Sequence, residues 1–185
     1  MSKKWRTMKS ATLLQELAAK IEQHINFVKS IQHLPQEVLT RRKSPESWNI
    51  LECLEHLNRY GDYYIPEIEK AITTSNTTSE ATFKSGWLGN YFANSMLPKE
   101  KLNKMKTFKD KNPLHSDLDN SVISLFLEQQ TQLLELLDKA NKVSLNKVKV
   151  KVSIAQWLTI KLGDTFRFVI FHNERHIKQM ERLAP

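Results

Sequence analysis

Four long segments of the chain repeat apolar residues at steps of three and four positions, and this period limits the fold more than any other feature. On an α-helix such spacing gathers the apolar side chains into one stripe that must be buried. The segments run over about 12–31, 47–72, 117–139 and 159–183. Because only four glycines and six prolines occur, a fold with many tight turns is disfavoured. The sequence predicts an all-α four-helix bundle in a single domain, 1–185.

Local signals suggest where these helices begin and end. Thr12 and Gln15 resemble a capping box at the start of the first helix, and Ser47 is a plausible N-cap for the second. Pro66 should kink or break the second helix. The third is expected to begin at Asp117 or Asp119.

The connection between the second and third helices spans roughly forty residues, which predicts a long crossover. Its first part, "ITTSNTTSEATF", is polar and suggests flexibility, whereas the aromatic-rich 87–98 suggests a short helix packed on the bundle. The "VKVKV" run near 148–152 alternates like a strand, but no partner strand is evident, so we interpret it as an extended linker. The "SIAQW" stretch after it suggests a short turn.

Composition narrows the cellular setting. A single cysteine, Cys53, allows no intrachain disulfide and favours the cytoplasm. The N-terminus lacks the pattern of a secretory signal, and no stretch reaches the ~20 apolar residues of a bilayer span, so we expect no membrane partner. The net charge of +8 comes from scattered lysines with mild clusters at 99–111 and 146–152. Without a nucleic-acid motif, a solvated basic surface is a better interpretation than a nucleic-acid site.

Three of the six histidines suggest a metal site. His172 and His176 stand four apart and share one helix face with apolar residues, so both should point inward. Imidazoles at this spacing can chelate one ion, and His56 on the second helix could supply a third. The alternative is that they are hydrogen-bonded core residues. The other three histidines, His24, His33 and His115, are interpreted as ordinary surface or loop residues.

The residues beside the histidines restrict the chemistry. In zinc-peptidase motifs a glutamate adjoins one of the histidines, but Asn173 and Arg175 occupy those positions here. Glu52 is the nearest carboxylate, and a surface or ligand-supporting role is expected for it. Cys53 could be a ligand or nucleophile, or simply core packing. Tyr60 could hydrogen-bond a substrate, or could pack.

Two stretches, "SWNILECLEHLNRYGDYYIPEI" and "FRFVIFHNERHIKQMERL", resemble the DinB-like superfamily of small four-helix bundles. The residues at matching positions are Trp48, His56, His172, Arg175, His176 and Gln179. The resemblance implies a long crossover between the second and third helices. It also implies a divalent metal ion, often nickel or zinc, bound by His56, His172 and His176. Homodimers are common in the family.

The resemblance also suggests activities. Some related proteins transfer low-molecular-weight thiols to electrophiles, and others are described as metal-dependent hydrolases. We therefore expect a small-molecule substrate and, most plausibly, thiol S-transfer, with metal-dependent hydrolysis as one alternative. A non-catalytic metal-binding bundle for stress response or protein interaction is another. The aromatic residues Trp87, Tyr91 and Phe92 are candidates for the pocket wall.

Overall fold

The computed structural model describes residues 7–98 and 107–185. Six helices and two pairs of short strands make up this part of the chain. In order they are β1 (Thr7–Lys9), α1 (Ser10–Ile31), α2 (Gln36–Leu39), α3 (Ile50–Thr73), β2 (Thr82–Lys84), α4 (Trp87–Met96), a 3-10 turn (Lys109–Lys111), α5 (Ser121–Ala140), β3 (Lys149–Val152), β4 (Ala155–Lys161) and α6 (Leu162–Met180). The prediction of an all-α fold is confirmed.

The four long helices form the bundle. Helices α1 and α3 each pack against both α5 and α6 rather than mainly against each other. Two apolar clusters fill the interior, one around Leu17, Tyr64 and Phe166 and the other around Leu54 and Phe126. The crossover from α3 to α5 carries α4, as the sequence predicted. No helix in the described residues is both long and apolar enough to span a bilayer.

The start of α3 differs from its prediction by two residues. Asn49, not Ser47, is the N-cap, and its side chain accepts a bond from the Glu52 backbone N–H at 2.8 Å. The Glu52 carboxylate accepts one from the Asn49 backbone N–H at 3.0 Å, which completes a capping box. Pro66 lies inside α3 without ending it.

The predicted starts of two other helices were also wrong. Helix α1 begins at Ser10 without a side-chain cap, so Thr12 and Gln15 form no capping box at its start. Helix α5 begins at Ser121, whose backbone N–H bonds to the Asp119 carboxylate at 2.8 Å. Asp119 thus lies just outside the helix that it was expected to open.

The linker interpretation of "VKVKV" was wrong. Strand β3 pairs with β4 in an antiparallel hairpin, with Lys149 opposite Lys161 and Lys151 opposite Thr159. The turn at Ser153 and Ile154 and the first part of β4 take up the "SIAQW" stretch. The partner strand is not evident in the sequence because the end of β4 directly precedes the last helix, which begins at Leu162 rather than at the predicted Thr159. The alternating pattern was therefore a true strand signal.

The early crossover is tied to the rest of the fold. Strand β2 pairs with β1, and Glu80 accepts bonds from Ser144 at 2.7 Å and Asn146 at 2.6 Å. These bonds run against the expectation that the polar segment is flexible. Of the lysine cluster at 99–111, residues 99–106 lie outside the described part of the chain.

A buried ion pair attaches α4 to α6. Arg167 and Asp164 are both fully buried and are joined at 2.9 Å. Arg167 also donates to Asn90 on α4 at 3.1 Å, and Asp164 accepts from the backbone N–H of Gly86 at 2.8 Å. At Gly89, a Cβ would come within 2.5 Å of Asp164, so this close approach requires glycine. The ion pair therefore fixes α4 against the bundle.

His24 was expected near the surface, but it is buried on the inner face of α1. Its Nδ1 has no hydrogen-bond partner within residues 7–98 and 107–185. Burial, with smaller contributions from Lys20 and Lys178, lowers the pKa of His24 to about 3. In the unfolded chain this imidazole takes up a proton near pH 6.5, while in the folded protein it stays neutral. The folded state must therefore lose stability as the pH falls below about 6.5.

We predict that His24→Leu removes this pH dependence. Between pH 7 and pH 5, the metal-free wild type should lose about 2 kcal/mol more unfolding free energy than the variant. Urea unfolding followed by circular dichroism at both pH values measures the difference. The exposed His33, replaced in the same way, is the matched control and should behave like the wild type. Equal losses in wild type and His24→Leu would contradict a neutral, buried His24.

Candidate metal centre

Three histidine side chains meet where α3 packs against α6. His56 comes from α3, and His172 and His176 come from successive turns of α6. The Nε2 atom of His172 lies 3.1 Å from Nε2 of His56 and 3.2 Å from Nε2 of His176. All three residues are buried. The structure thus brings together the three histidines that the sequence singled out.

The outer nitrogens of two rings have partners that orient the inner ones. His56 Nδ1 lies 2.7 Å from the backbone carbonyl of Lys111, and His176 Nδ1 lies 3.1 Å from Oε1 of Gln179. Because both partners are acceptors, each Nδ1 carries the proton, and each Nε2 keeps a lone pair directed at His172. This tautomer leaves the Nε2 of both rings free to bind a metal ion.

Burial keeps the cluster neutral. It lowers the pKa of His56 to about 4, even though the Lys111 carbonyl opposes the change. Burial, followed by the charges of the neighbouring histidines, holds the pKa of His172 well below its ordinary value. The pKa of His176 is also held well below its ordinary value, chiefly by burial. Neutral imidazoles are the form that binds metal ions.

The spacing of the Nε2 atoms fits one divalent ion. Imidazole nitrogens bind zinc at about 2.0–2.1 Å, which in a tetrahedral site places them roughly 3.3 Å from one another. The two separations from His172 Nε2, 3.1 and 3.2 Å, are close to that value, and the ligand atoms of all three residues lie within 4.8 Å of one another. A hydrogen-bonded core cluster fits less well, because His172 Nε2 has one proton at most to share between two lone pairs. The three rings could therefore hold a metal ion.

A cavity of about 760 Å³ adjoins the histidines, and all three line it. Its wall is rich in aromatic side chains. The aromatic residues are Trp48, Tyr60, Tyr64, Tyr91, Phe92, Phe108 and Phe168. Tyr91 and Phe92 thus line the cavity as predicted, whereas Trp87 does not and is 82% exposed. Helix α4 therefore presents the rings of Tyr91 and Phe92 to the cavity and the ring of Trp87 to solvent.

Of the other candidate residues, Tyr60 lies at the cavity and Cys53 does not. Tyr60 lines the cavity, and its ring centre is 4.6 Å from that of His172. Burial raises the pKa of Tyr60 to about 12, so it stays protonated. Cys53 is fully buried in the apolar cluster around Leu54 and does not line the cavity. Burial raises the pKa of its thiol, which disfavours a reactive thiolate.

Glu52 is buried rather than at the surface. Besides capping α3, its carboxylate binds the Arg42 guanidinium through both oxygens, one at 2.7 Å, and accepts the backbone N–H of His115. It does not line the cavity. Glu52 therefore supports the start of the helix that carries His56 and fixes the chain around His115.

Two of the three residues between the α6 histidines make contacts away from the cavity. Asn173 donates to Gln130 at 3.0 Å, and Glu174 forms an ion pair with Lys20 at 2.7 Å. Neither lines the cavity, and Arg175 does. No catalytic glutamate of the zinc-peptidase type therefore stands at these positions.

Several features of the site had no signal in the sequence. A backbone carbonyl orients His56, and any residue at position 111 could supply one. The Lys111 segment is held by Trp48, which donates to Asn112 at 3.1 Å, and by the Lys111 ammonium, which donates to the Arg59 carbonyl at 3.1 Å. Val152 and Ile160 of the missed hairpin also line the cavity.

Comparison with known proteins gives one match. A family model described as the DinB superfamily matches residues 21–180, a span that contains all three histidines. No curated protein and no solved structure gives a significant match.

We predict that His172→Ala lowers the affinity for zinc or nickel by at least about 100-fold, because losing even a residue that supports a ligand costs 10–100-fold. The bundle should stay folded, since its two apolar clusters do not depend on this ring. Competition with a chromogenic chelator measures the affinity, and circular dichroism checks the fold. His33→Ala, which changes an exposed histidine, is the control. Full affinity in His172→Ala would exclude it as a ligand.

Proposed function

The chain belongs to the DinB superfamily, and from this premise we propose that it is a metal-dependent enzyme that transfers a low-molecular-weight thiol to an electrophile. His56, His172 and His176 would hold a divalent ion, zinc or nickel. Such an ion would supply stabilisation of the thiolate form of the thiol. In the transfer, sulfur forms a bond to an electrophilic carbon, the leaving group departs with its bonding electrons, and the thiol proton passes to solvent.

The observation that carries this proposal is the place of the histidine cluster in the cavity wall. A structural zinc site is closed by four protein ligands, whereas a catalytic site keeps a position open. Within 7–98 and 107–185, the cluster consists of three potential ligands and no fourth. A small molecule in the cavity would therefore have access to the ion.

The cavity residues can bind and orient both substrates. The aromatic wall suits an apolar electrophile and excludes water from the reacting sulfur. Arg175 is the one arginine or lysine among the described lining residues, and it can attract an acidic group of the thiol. Burial lowers the pKa of Arg175, but from so high an ordinary value that the side chain stays charged near neutrality.

Tyr60 can act on the electrophile. It stays protonated at neutral pH and stands beside two of the histidines, with its ring centre 5.1 Å from that of His56. Its hydroxyl can therefore donate a hydrogen bond to a polar atom on which negative charge develops. Replacing Tyr60 with phenylalanine, which removes only the hydroxyl oxygen, would abolish this role.

The arrangement supports thiol transfer better than the alternatives. Hydrolysis would be helped by a carboxylate base, but the only carboxylate among the described lining residues is the exposed Glu46. A non-catalytic metal-binding bundle would not need a large aromatic cavity beside its ion. The homodimer implied by the family resemblance and the cytoplasmic location suggested by the single cysteine stay predictions.

We predict that the metal-loaded protein conjugates at least one biological thiol to a chloronitrobenzene, measured by absorbance. Chelation should abolish turnover, and added zinc or nickel should restore it. Tyr60→Phe should lower kcat by about tenfold or more while metal affinity is unchanged. Tyr63→Phe is the matched control, because Tyr63 does not line the cavity. Failure with every thiol tested, or equal activity without metal, would contradict the proposal.

A further inference from the structure

The part of the chain that contains the β3–β4 hairpin is strongly basic. Residues 139–163 include six lysines and no aspartate or glutamate. Such a run contributes much of the net charge of +8. Three of these lysines, Lys149, Lys151 and Lys161, lie in the hairpin strands. Of the others, Lys139 and Lys147 pair with Glu69 and Glu80.

The two faces of the hairpin differ sharply. Paired residues on adjacent strands point to the same side, and alternate residues point to opposite sides. By this rule the outer face of the hairpin carries Lys149, Lys151, Trp157, Thr159 and Lys161. The inner face carries Val150, Val152 and Ile160, which are buried. Trp157 on the outer face is 87% exposed, the largest exposure among the large hydrophobic side chains described.

A second exposed tryptophan extends this face. The Lys161 ammonium donates to the Lys84 carbonyl at 2.6 Å, and a Cβ at Gly86 would lie 3.8 Å from the Lys161 side chain. Trp87, the next residue, is 82% exposed. Ile154, in the hairpin turn, is 51% exposed. This region of the protein surface therefore carries both lysines and large exposed apolar side chains.

We propose that the outer face of the hairpin, together with Trp87 and Ile154, docks on the surface of an anionic phospholipid bilayer. Tryptophan favours the boundary between lipid headgroups and acyl chains. Each lysine close to an anionic membrane adds to the attraction, and Lys149 and Lys151 are both exposed. The sequence led us to expect no membrane partner because no segment spans a bilayer, but a peripheral contact needs no span.

Charge complementarity selects this occupant over a second copy of the chain. In a symmetric dimer built on this face, the same patch would meet itself, and lysines would face lysines. An anionic lipid surface instead meets the lysines with opposite charge.

A nucleic acid fits less well. Single strands bind in basic grooves with bases stacked on aromatic rings. The cavity lies on the inner side of the hairpin, where Val152 and Ile160 line it, so it does not run along the lysines. The aliphatic Ile154 offers no ring for stacking. Because Ile154 also lines the cavity, docking would bring the edge of the cavity close to the lipid.

Sedimentation with vesicles tests the proposal on the full chain. We expect binding to vesicles of phosphatidylglycerol and phosphatidylcholine at low salt, little binding to pure phosphatidylcholine, and release at 0.5 M salt. Lys149→Glu with Lys151→Glu should weaken binding about 30-fold or more. Trp157→Ala should weaken it several-fold at unchanged net charge.

Two controls separate this surface from general basicity and from the metal site. Lys29→Glu with Lys43→Glu alters net charge equally, at exposed lysines outside the hairpin, and should bind nearly as the wild type does. His172→Ala should bind vesicles normally, so failure of the proposed enzyme activity would not affect this result. No vesicle binding at low salt, or an equal loss in the control pair, would overturn the proposal. So would preferential binding of oligothymidylate, or a lipid-free dimer that Trp157→Ala dissociates.

Discussion

The packing of α3 against α6 is the interaction on which the site depends. It brings Nε2 of His56 to 3.1 Å from Nε2 of His172, which in turn lies 3.2 Å from Nε2 of His176, in a buried space. Such a cluster is unfavourable unless its lone pairs have a partner, because buried polar atoms lose their bonds to water. A shared divalent ion could satisfy all three at once. The arrangement of the three rings therefore suits a bound metal ion better than a cluster without one.

Several contacts around α3 hold His56 in place. The capping box of Asn49 and Glu52 fixes where α3 begins, about two turns before His56. The Glu52 carboxylate also binds Arg42 and the backbone at His115, so it ties two loops to that helix end. The crossover supplies the Lys111 carbonyl that orients the ring. Two additions to the bundle, α4 and the hairpin, then complete the cavity beside the histidines, and the Asp164–Arg167 pair anchors the first of them.

Helical period and spacing were enough to predict the bundle and the shared, inward face of His172 and His176. Apolar stripes specify long helices, and two histidines four apart must share a face, although the meeting with His56 rested also on the family resemblance. The hairpin was missed because strand pairing joins segments whose partnership no local pattern reveals. Glu52 and His24 are more buried than the sequence indicated. Burial depends on residues that the fold brings close, such as Arg42 beside Glu52, and the local pattern does not reveal them. The Lys111 carbonyl could not be found, because a backbone atom leaves no trace in residue identity.

The most direct test is a crystal structure of the zinc- or nickel-loaded protein with anomalous scattering measured at the metal edge. The account predicts one strong peak bound by Nε2 of His56, His172 and His176 at about 2.0–2.1 Å, with a non-protein ligand on the cavity side. A metal peak elsewhere, three rings too far apart to share an ion, or a fourth protein ligand closing the site would contradict it.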